Sequence, residues 1–345
     1  MMLIYRLYLN AGNVEKKYSR LFWGTQITII GMLFTFPFVG YALFSITFST
    51  LFIIATYFFT WLVFKNTPDS KKQSNSYKCI RISLWFMVIS SIGPWALGII
   101  MNTAGSNSDL YRNAIYFYLH FQYNGWFIVA LFGLLFYFFE QHNLIIPKRI
   151  FQQFFWLFNI GVVFTYGISL LWMNPNNSVY LISSLGGLLQ LVAFGILVQY
   201  MQLHWRKIKN ENAPLFIQLL RIIGVILLIK LLIQFLGTFH YFSSISSLNI
   251  DFIIGYLHWI FLGVVSISLL TFLYKFQFIF ITKKAILFYV IGFVLTEGFI
   301  FYKGIVIWLE YSLIDHYFWY LIIVSCLFLL SITNIFVIQF KKISN

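Results

Sequence analysis

The sequence predicts an all-α membrane protein, a polytopic bundle of about ten transmembrane helices with the N-terminus and the C-terminus in the cytoplasm. Three observations support this fold class. Hydrophobic residues make up 61% of the 345 residues and charged residues only 9%, a balance typical of a chain whose solvent is lipid. Ten apolar runs each approach the roughly 20 residues that a helix needs to cross a bilayer. The basic residues collect in every second connection between these runs.

The apolar runs follow one another closely along the chain. We expect spans at 21–39, 45–64, 82–101, 113–139, 151–173, 179–203, 215–237, 251–274, 285–308 and 317–340. A turn is expected near Pro37 to Tyr41, between the first two spans. The spans then define a cytoplasmic or interfacial segment over 1–20, one transmembrane helical domain over 21–340 and a cytoplasmic tail over 341–345.

The basic residues predict the orientation of the bundle. With the N-terminus inside, the external loops hold a single basic residue, Arg112, and the spans hold Arg221, Lys230 and Lys303. Every other Lys and Arg then falls in a cytoplasmic segment, as the positive-inside rule requires. The same rule accounts for the net charge of +14, so we expect the lipid bilayer as a partner and no nucleic acid.

The connections between the spans are short, and the motifs of soluble enzymes are missing from the sequence. It has no phosphate-binding loop, no nucleophile elbow and no Cys or His pair at zinc spacing. The sequence therefore does not decide whether the protein is an enzyme. Any function is expected inside the bundle or at its faces.

A histidine lies inside each of two predicted spans, and the residues around it repeat. Tyr118-Leu119-His120 corresponds to Tyr256-Leu257-His258, and Gly125 corresponds to Gly263, at a common offset of 138 residues. Both spans are predicted to run from outside to inside. Each histidine follows the start of its span by seven residues, or about 10 Å at 1.5 Å per residue. We therefore expect both at one depth near the outer face, as a parallel repeat would place them.

Two interpretations of the buried histidines are open. Each imidazole could make a structural hydrogen bond between helices. Alternatively, His120 and His258 could bind one heme iron as its two axial ligands. Asn124, one turn after His120, is then expected to orient that ring, and Gly125 and Gly263 would let a flat macrocycle or a neighbouring helix approach.

Arg112, at the start of the His120 span, also has two interpretations. It could anchor the helix at the interface, or it could form a salt bridge with a heme propionate that points outward.

Ionisable residues inside a membrane are costly and are candidates for function. Lys230 and Glu297 are expected deep in the seventh and ninth spans, with Lys303 farther out. The spacing favours an ion pair between Lys230 and Glu297 across helices, because Lys303 and Glu297 are almost two turns apart on one helix. Such a pair is either structural or part of a proton or ion path, and Lys303 could instead extend to the outer interface.

The run His120-x-x-x-x-Gly125-Trp126-x-x-x-Ala130-Leu131-Phe132-Gly133-Leu134 resembles the histidine helix of short bacterial membrane proteins related to the heme–copper oxidase core subunit. The segment 256–263 resembles the same proteins and the heme- and copper-containing membrane proteins of nitric oxide metabolism. The resemblance implies a helical bundle in a bacterial inner membrane with heme near the outer face. The full core subunit has twelve helices and a histidine cluster for a second heme and copper. This chain has only two deep histidines, so copper is not expected.

The leading hypothesis is therefore an integral membrane protein that binds one heme near its outer face. It would serve electron transport, in respiratory or nitric-oxide-related redox chemistry, with a redox partner protein or a quinone. One alternative is a transporter or channel that uses the Lys230–Glu297 pair, with broken-helix elements such as Ile92-Gly93-Pro94-Trp95. Another is a non-catalytic subunit of a membrane complex.

Overall fold

The structure, a computed structural model, describes the backbone of residues 1–9, 11–40 and 42–343, and their side chains except at 11–13 and 341–343. These residues contain no β-strand, and ten of their helical segments are long and apolar enough to cross a membrane. The segments are Val14–Val39, Leu43–Asn66, Asn75–Thr103, Asp109–Gln141, Lys148–Met173, Asn177–Leu203, Pro214–Leu236, Ile250–Lys275, Lys283–Trp308 and Tyr317–Phe340. The all-α class and the order of the predicted spans are confirmed.

The largest differences from the predicted spans are at two N-terminal ends. The first and third spans begin at Val14 and Asn75 rather than at 21 and 82. In the third span, the hydroxyl of Ser74 accepts the N–H of Tyr77 and caps a helix that starts among polar residues. A helix thus extends beyond the apolar run that predicts it, because its ends depend on caps rather than on hydropathy.

The helices form two compact units, Met1–Ile145 and Ile146–Asn345. The predicted transmembrane domain, 21–340, contains parts of both. The helices of the first unit are α1 (Met2–Tyr8), α2 (Ala11–Val39), α3 (Leu43–Asn66), α4 (Asp69–Lys72), α5 (Asn75–Ser90), α6 (Ile92–Thr103), α7 (Asp109–His120), the π-helix π1 (Phe121–Ile128) and α8 (Val129–Gln141).

The second unit has the same kind of elements and one long 3-10 segment, Thr165–Met173. Its other helices are α9 (Lys148–Phe164), α10 (Asn177–Leu203), α11 (Trp205–Asn210), α12 (Pro214–Leu236), α13 (His240–Leu248), α14 (Ile250–His258), the π-helix π2 (Trp259–Ser266), α15 (Ile267–Lys275), α16 (Lys283–Trp308) and α17 (Tyr317–Ile343). The predicted tail at 341–345 begins within α17, and 344–345 lie outside the described residues.

The N-terminal segment is packed into the first unit through α1. The rings of Tyr5 and Tyr18 stack with their centroids 3.6 Å apart, and the ring of Tyr8 lies 5.4 Å from that of Tyr137. Lys71 donates from Nζ to the carbonyl of Leu7 at 2.7 Å. Residues 1–9 are thus largely buried within the first unit, and the cytoplasmic or interfacial position of the segment stays a prediction.

The turn between the first two spans lies at the predicted place. α2 continues through Pro37 to Val39, Gly40 takes a φ of +57°, and α3 begins at Leu43. A left-handed residue after a helix is commonly glycine, which has no Cβ to clash there. Tyr41, also predicted in this turn, lies outside the described residues.

The span that carries His120 is the most buried of the ten. Of the residues in its apolar stretch 78% are buried, against 11% in each of the first and last spans. It packs on α5, whose Ile80 and Phe86 lie against Gly133 and Gly125. The side chains around His120 are therefore packed mainly against other residues of the protein.

Candidate functional site

Each of the two predicted histidines is the last residue of an α-helix and is followed at once by a π-helix. α7 ends at His120 and π1 covers Phe121–Ile128, while α14 ends at His258 and π2 covers Trp259–Ser266. π-Helices are rare and occur frequently at functional sites. Their bounds are 138 residues apart at both ends, which is the offset of the sequence repeat. The weak repeat therefore corresponds to a repeated backbone structure.

The glycine of each π-helix accommodates a phenylalanine from a neighbouring helix. A Cβ on Gly125 would lie 2.6 Å from Cβ of Phe86, and a Cβ on Gly263 would lie 2.6 Å from Cζ of Phe293. Of the two roles expected for these glycines, close helix approach is thus the one that the structure shows. The glycines set the distance at which α5 and α16 support the two π-helices.

His120 is almost completely buried, with 2% of its surface exposed. Its Nδ1 lies 3.2 Å from Nδ2 of Asn124, so the predicted contact between these two side chains is formed. The ring of Phe121 packs edge-on against the imidazole, with centroids 5.2 Å apart. The amide of Asn124 can present either its N–H₂ or its oxygen to Nδ1, because the two ends of an amide are interchangeable by rotation.

His258 is held differently. Its side chain is 46% exposed, yet its Nδ1 is buried and has no hydrogen-bond partner among the described residues. This atom lies 3.8 Å from Oε1 of Glu297. The carboxylate of Glu297 is itself buried, and neither of its oxygens has a hydrogen-bond partner within the described part of the chain. A buried polar group that stays without a hydrogen bond costs roughly 1–3 kcal/mol, so a hydrogen bond between His258 and Glu297 would be favourable.

Glu297 faces His258 because α16 packs antiparallel to α14 and π2. Partner numbers on α16 fall as those on the histidine segment rise. The contacts in chain order are Asn249 with the carbonyl of Gly304 at 2.8 Å, Asp251 with Lys303 at 2.9 Å, His258 with Glu297 at 3.8 Å, and the carbonyl of Leu262 with the hydroxyl of Tyr289 at 3.1 Å.

The ion pairing expected inside the membrane is corrected by these contacts. Lys303 pairs with Asp251 through Nζ and Oδ1 at 2.9 Å. Glu297 receives no hydrogen bond from Lys230 or Lys303, since both its oxygens are unpartnered among the described residues. The physical reason is the antiparallel register, which brings Lys303 to the start of α14 and Glu297 to its end.

Lys230 belongs to a separate, largely buried hydrogen-bond network in the second unit. Its Nζ donates to Oε1 of Gln234, which also accepts from the hydroxyl of Tyr256 at 3.0 Å. The amide of Gln234 donates to Oε1 of Gln190 at 3.1 Å, and that of Gln190 donates to Oγ1 of Thr165 at 3.3 Å. The network links α12 to α10, to α14 and to the start of the 3-10 segment.

Arg112 lies two turns before His120 on α7. Its Nε donates to the hydroxyl of Tyr116 at 3.1 Å, and its guanidinium lies 5.4 Å from the centroid of the same ring. The guanidinium is therefore oriented along the helix by a residue one turn closer to His120. Its pairing with a propionate stays a prediction.

Several of these groups are not among the ionisable residues that the sequence places deep in spans. Asp251 falls at the boundary of a predicted span, where a charge is ordinary. Gln190, Gln234 and Tyr256 are neutral side chains. The i, i+4 spacing of Lys230 and Gln234 is the feature that could have revealed the network.

The described residues contain no group of three or more His, Cys, Asp or Glu side chains that could hold a metal ion. No protein-family model matches the chain. No curated protein matches it either. Functional inference therefore depends on the geometry of these sites.

Proposed function

We propose that this chain is an integral membrane protein that binds one heme, that His120 and His258 would hold its iron, and that it serves electron transfer. The repeated π-helix carries this proposal: the same irregular backbone follows each histidine at the same offset. If the two histidines had unrelated structural roles, nothing would account for the same irregular backbone after each of them. If both bound one cofactor, the shared backbone would follow from their shared role. A bacterial inner membrane, with a redox protein or a quinone as electron partner, belongs to the same proposal.

The side chains around each histidine fit this role. In His258 the Nδ1 edge is buried against Glu297 while the ring as a whole is 46% exposed. The accessible edge is therefore the one that carries Nε2. At His120, the oxygen of the Asn124 amide can accept Nδ1–H, which corresponds to the tautomer in which Nε2 carries the lone pair. Arg112 supplies a cation for a propionate.

A bound heme would supply one-electron exchange. The residues of this chain would hold and orient the group: the imidazoles as ligands, and Asn124 as the partner of one ring. Phe86 and Phe121 stack 5.9 Å apart beside His120, and Trp259 and Phe293 pack edge-on 5.3 Å apart beside His258. These rings would exclude water from the ligand environment. The proposal includes neither a second heme nor a copper ion.

Absorption spectroscopy of the purified protein tests the proposal. A Soret band is expected in the wild-type protein, and replacing both His120 and His258 by alanine is expected to abolish it. His316→Ala is the matched control, because His316 is exposed and far along the chain from either π-helix. A band that survives the double substitution unchanged would contradict the ligand assignment.

A second candidate function is ion or solute transport, and the buried Lys230 network favours it. A fully buried lysine joined to two glutamines is costly in a membrane span and is a candidate for a coupling site. The Lys230–Glu297 pair on which this alternative first depended is not formed. A colourless protein that drives flux in liposomes, and loses it in Lys230→Met, would favour transport over heme binding.

A further inference from the structure

We propose that Glu297 is the positioning residue of His258: its carboxylate accepts Nδ1–H and so directs Nε2 to the iron. The inference depends on the proposed heme ligation and adds a residue to it. Nothing in the sequence points to this pairing, because Glu297 lies on a different helix and 39 positions away.

Two observations on the second unit support this role. Nδ1 of His258 and both oxygens of Glu297 are buried and have no other hydrogen-bond partner among the described residues. The nearest oxygen is 3.8 Å from Nδ1, slightly beyond hydrogen-bond reach, so the proposed hydrogen bond requires the two side chains to approach by less than about 1 Å. An Nδ1–H bonded to a carboxylate fixes the tautomer in which Nε2 carries the lone pair.

The neighbouring contacts hold Glu297 in place. The salt bridge between Lys303 and Asp251 lies on one side of the pair, and the hydrogen bond of Tyr289 to the carbonyl of Leu262 lies on the other. α16 is thus fastened to the histidine segment on both sides of Glu297. His120 differs in this respect, because Asn124, the side chain that contacts its ring, lies four residues further along the same span.

The two ligands therefore depend on different parts of the fold. The orientation of His120 is local to α7 and π1. The orientation of His258 depends on the docking of α16. Changes in α16 should affect the His258 ligand bond and leave the His120 bond intact.

Heme titration and redox potentiometry of Glu297 variants test the inference. Glu297→Leu cannot accept a hydrogen bond, and we expect its heme affinity to fall roughly 10- to 100-fold, as is typical for loss of an orienting partner. Glu297→Gln keeps an accepting oxygen and should retain heme. Its weaker acceptor makes the imidazole a poorer electron donor, so its midpoint potential should rise.

Glu140→Gln is the matched control. Glu140 is also a largely buried carboxylate, but it accepts from the N–H and hydroxyl of Ser76 and contacts no histidine in those bonds. The Glu140→Gln substitution should change neither the heme affinity nor the midpoint potential. If Glu297→Leu does not fold, the shift in potential of Glu297→Gln decides the matter alone.

The outcomes separate this inference from the proposed function. If both Glu297 variants keep the wild-type affinity and potential while His258→Ala loses the heme, the role of Glu297 is wrong and the ligand assignment stands. If His258→Ala keeps the heme unchanged, the proposed function itself fails.

Discussion

At the scale of single residues, the role of a polar side chain depends on the groups that it contacts and on its burial, and not on its residue type alone. Two lysine–aspartate pairs among the described residues illustrate this. Lys303–Asp251 and Lys72–Asp69 have nearly equal lengths, 2.9 and 2.8 Å. Asp251 is buried between helices, whereas Asp69 is almost fully exposed. Equal distances therefore correspond to unequal contributions to stability.

Removing one charge of each pair measures this difference. Asp251→Asn leaves Lys303 facing a neutral group at a helix contact, and we expect a loss of about 3 kcal/mol, at the lower end for a buried pair. Asp69→Asn removes an exposed pair that water and salt already screen, so the midpoint should hardly change. Thermal unfolding in detergent compares the two, and equal shifts in midpoint would contradict the assigned burial.

The network around Lys230 gives a second comparison. Gln234 accepts from Lys230 and Tyr256 and donates to Gln190, so Gln234→Leu removes three hydrogen bonds at once. Each lost hydrogen bond is expected to cost roughly 0.5–1.5 kcal/mol. Gln218→Leu, an exposed position on the same helix, should be nearly neutral. A Gln234→Leu protein as stable as the Gln218→Leu protein would show that the network does not stabilise the unit.

At the scale of elements, the sequence predicts the spans well and the irregular segments poorly. A span is a run of about 20 apolar residues, which hydropathy detects directly. π1 and π2 have the sequences Phe-Gln-Tyr-Asn-Gly-Trp-Phe-Ile and Trp-Ile-Phe-Leu-Gly-Val-Val-Ser, and these share only the glycine. Eight residues with one identity carry no recognisable period, so only the histidine repeat pointed to them.

The pairing of charged residues was unpredictable for a different reason. Depth along each span can be counted from the sequence, and Glu297 and Lys230 are indeed buried within helices long and apolar enough to cross a membrane. Which helices touch is decided by packing, and only the antiparallel docking of α16 on α14 assigns Lys303 to Asp251. The Asn124–His120 contact was predictable because both residues lie on one helix, four positions apart.

The close packing at the glycine of π1 can be tested by substitution. Gly125→Ala places a Cβ 2.6 Å from Cβ of Phe86, an atom fixed to the backbone of α5. We expect overpacking to cost about 1–3 kcal/mol. Gly195→Ala is the control, because nothing lies within 4 Å of its new Cβ and alanine favours the helix by up to about 1 kcal/mol. A Gly125→Ala protein that is as stable as Gly195→Ala would contradict the close packing.

At the scale of the whole molecule, the orientation in the membrane is a prediction from the basic residues. Cysteine labelling tests it in a background with Cys79 and Cys326 replaced by serine. Asn107→Cys and Asn210→Cys both place an exposed thiol in a connection between spans. A membrane-impermeant maleimide should label Asn107→Cys in intact cells and Asn210→Cys only after permeabilisation. The reverse pattern would invert the bundle.

On the proposed ligation, one heme is bound by one histidine from each repeat. Heme content and ferric spin state of the purified protein test this ligation, measured for the wild type and for His120→Ala and His258→Ala singly. We predict one low-spin heme per chain in the wild type and loss of the low-spin state in either variant, since each removes one axial ligand. A protein without heme, or a low-spin heme that persists in both single variants, would contradict the claim.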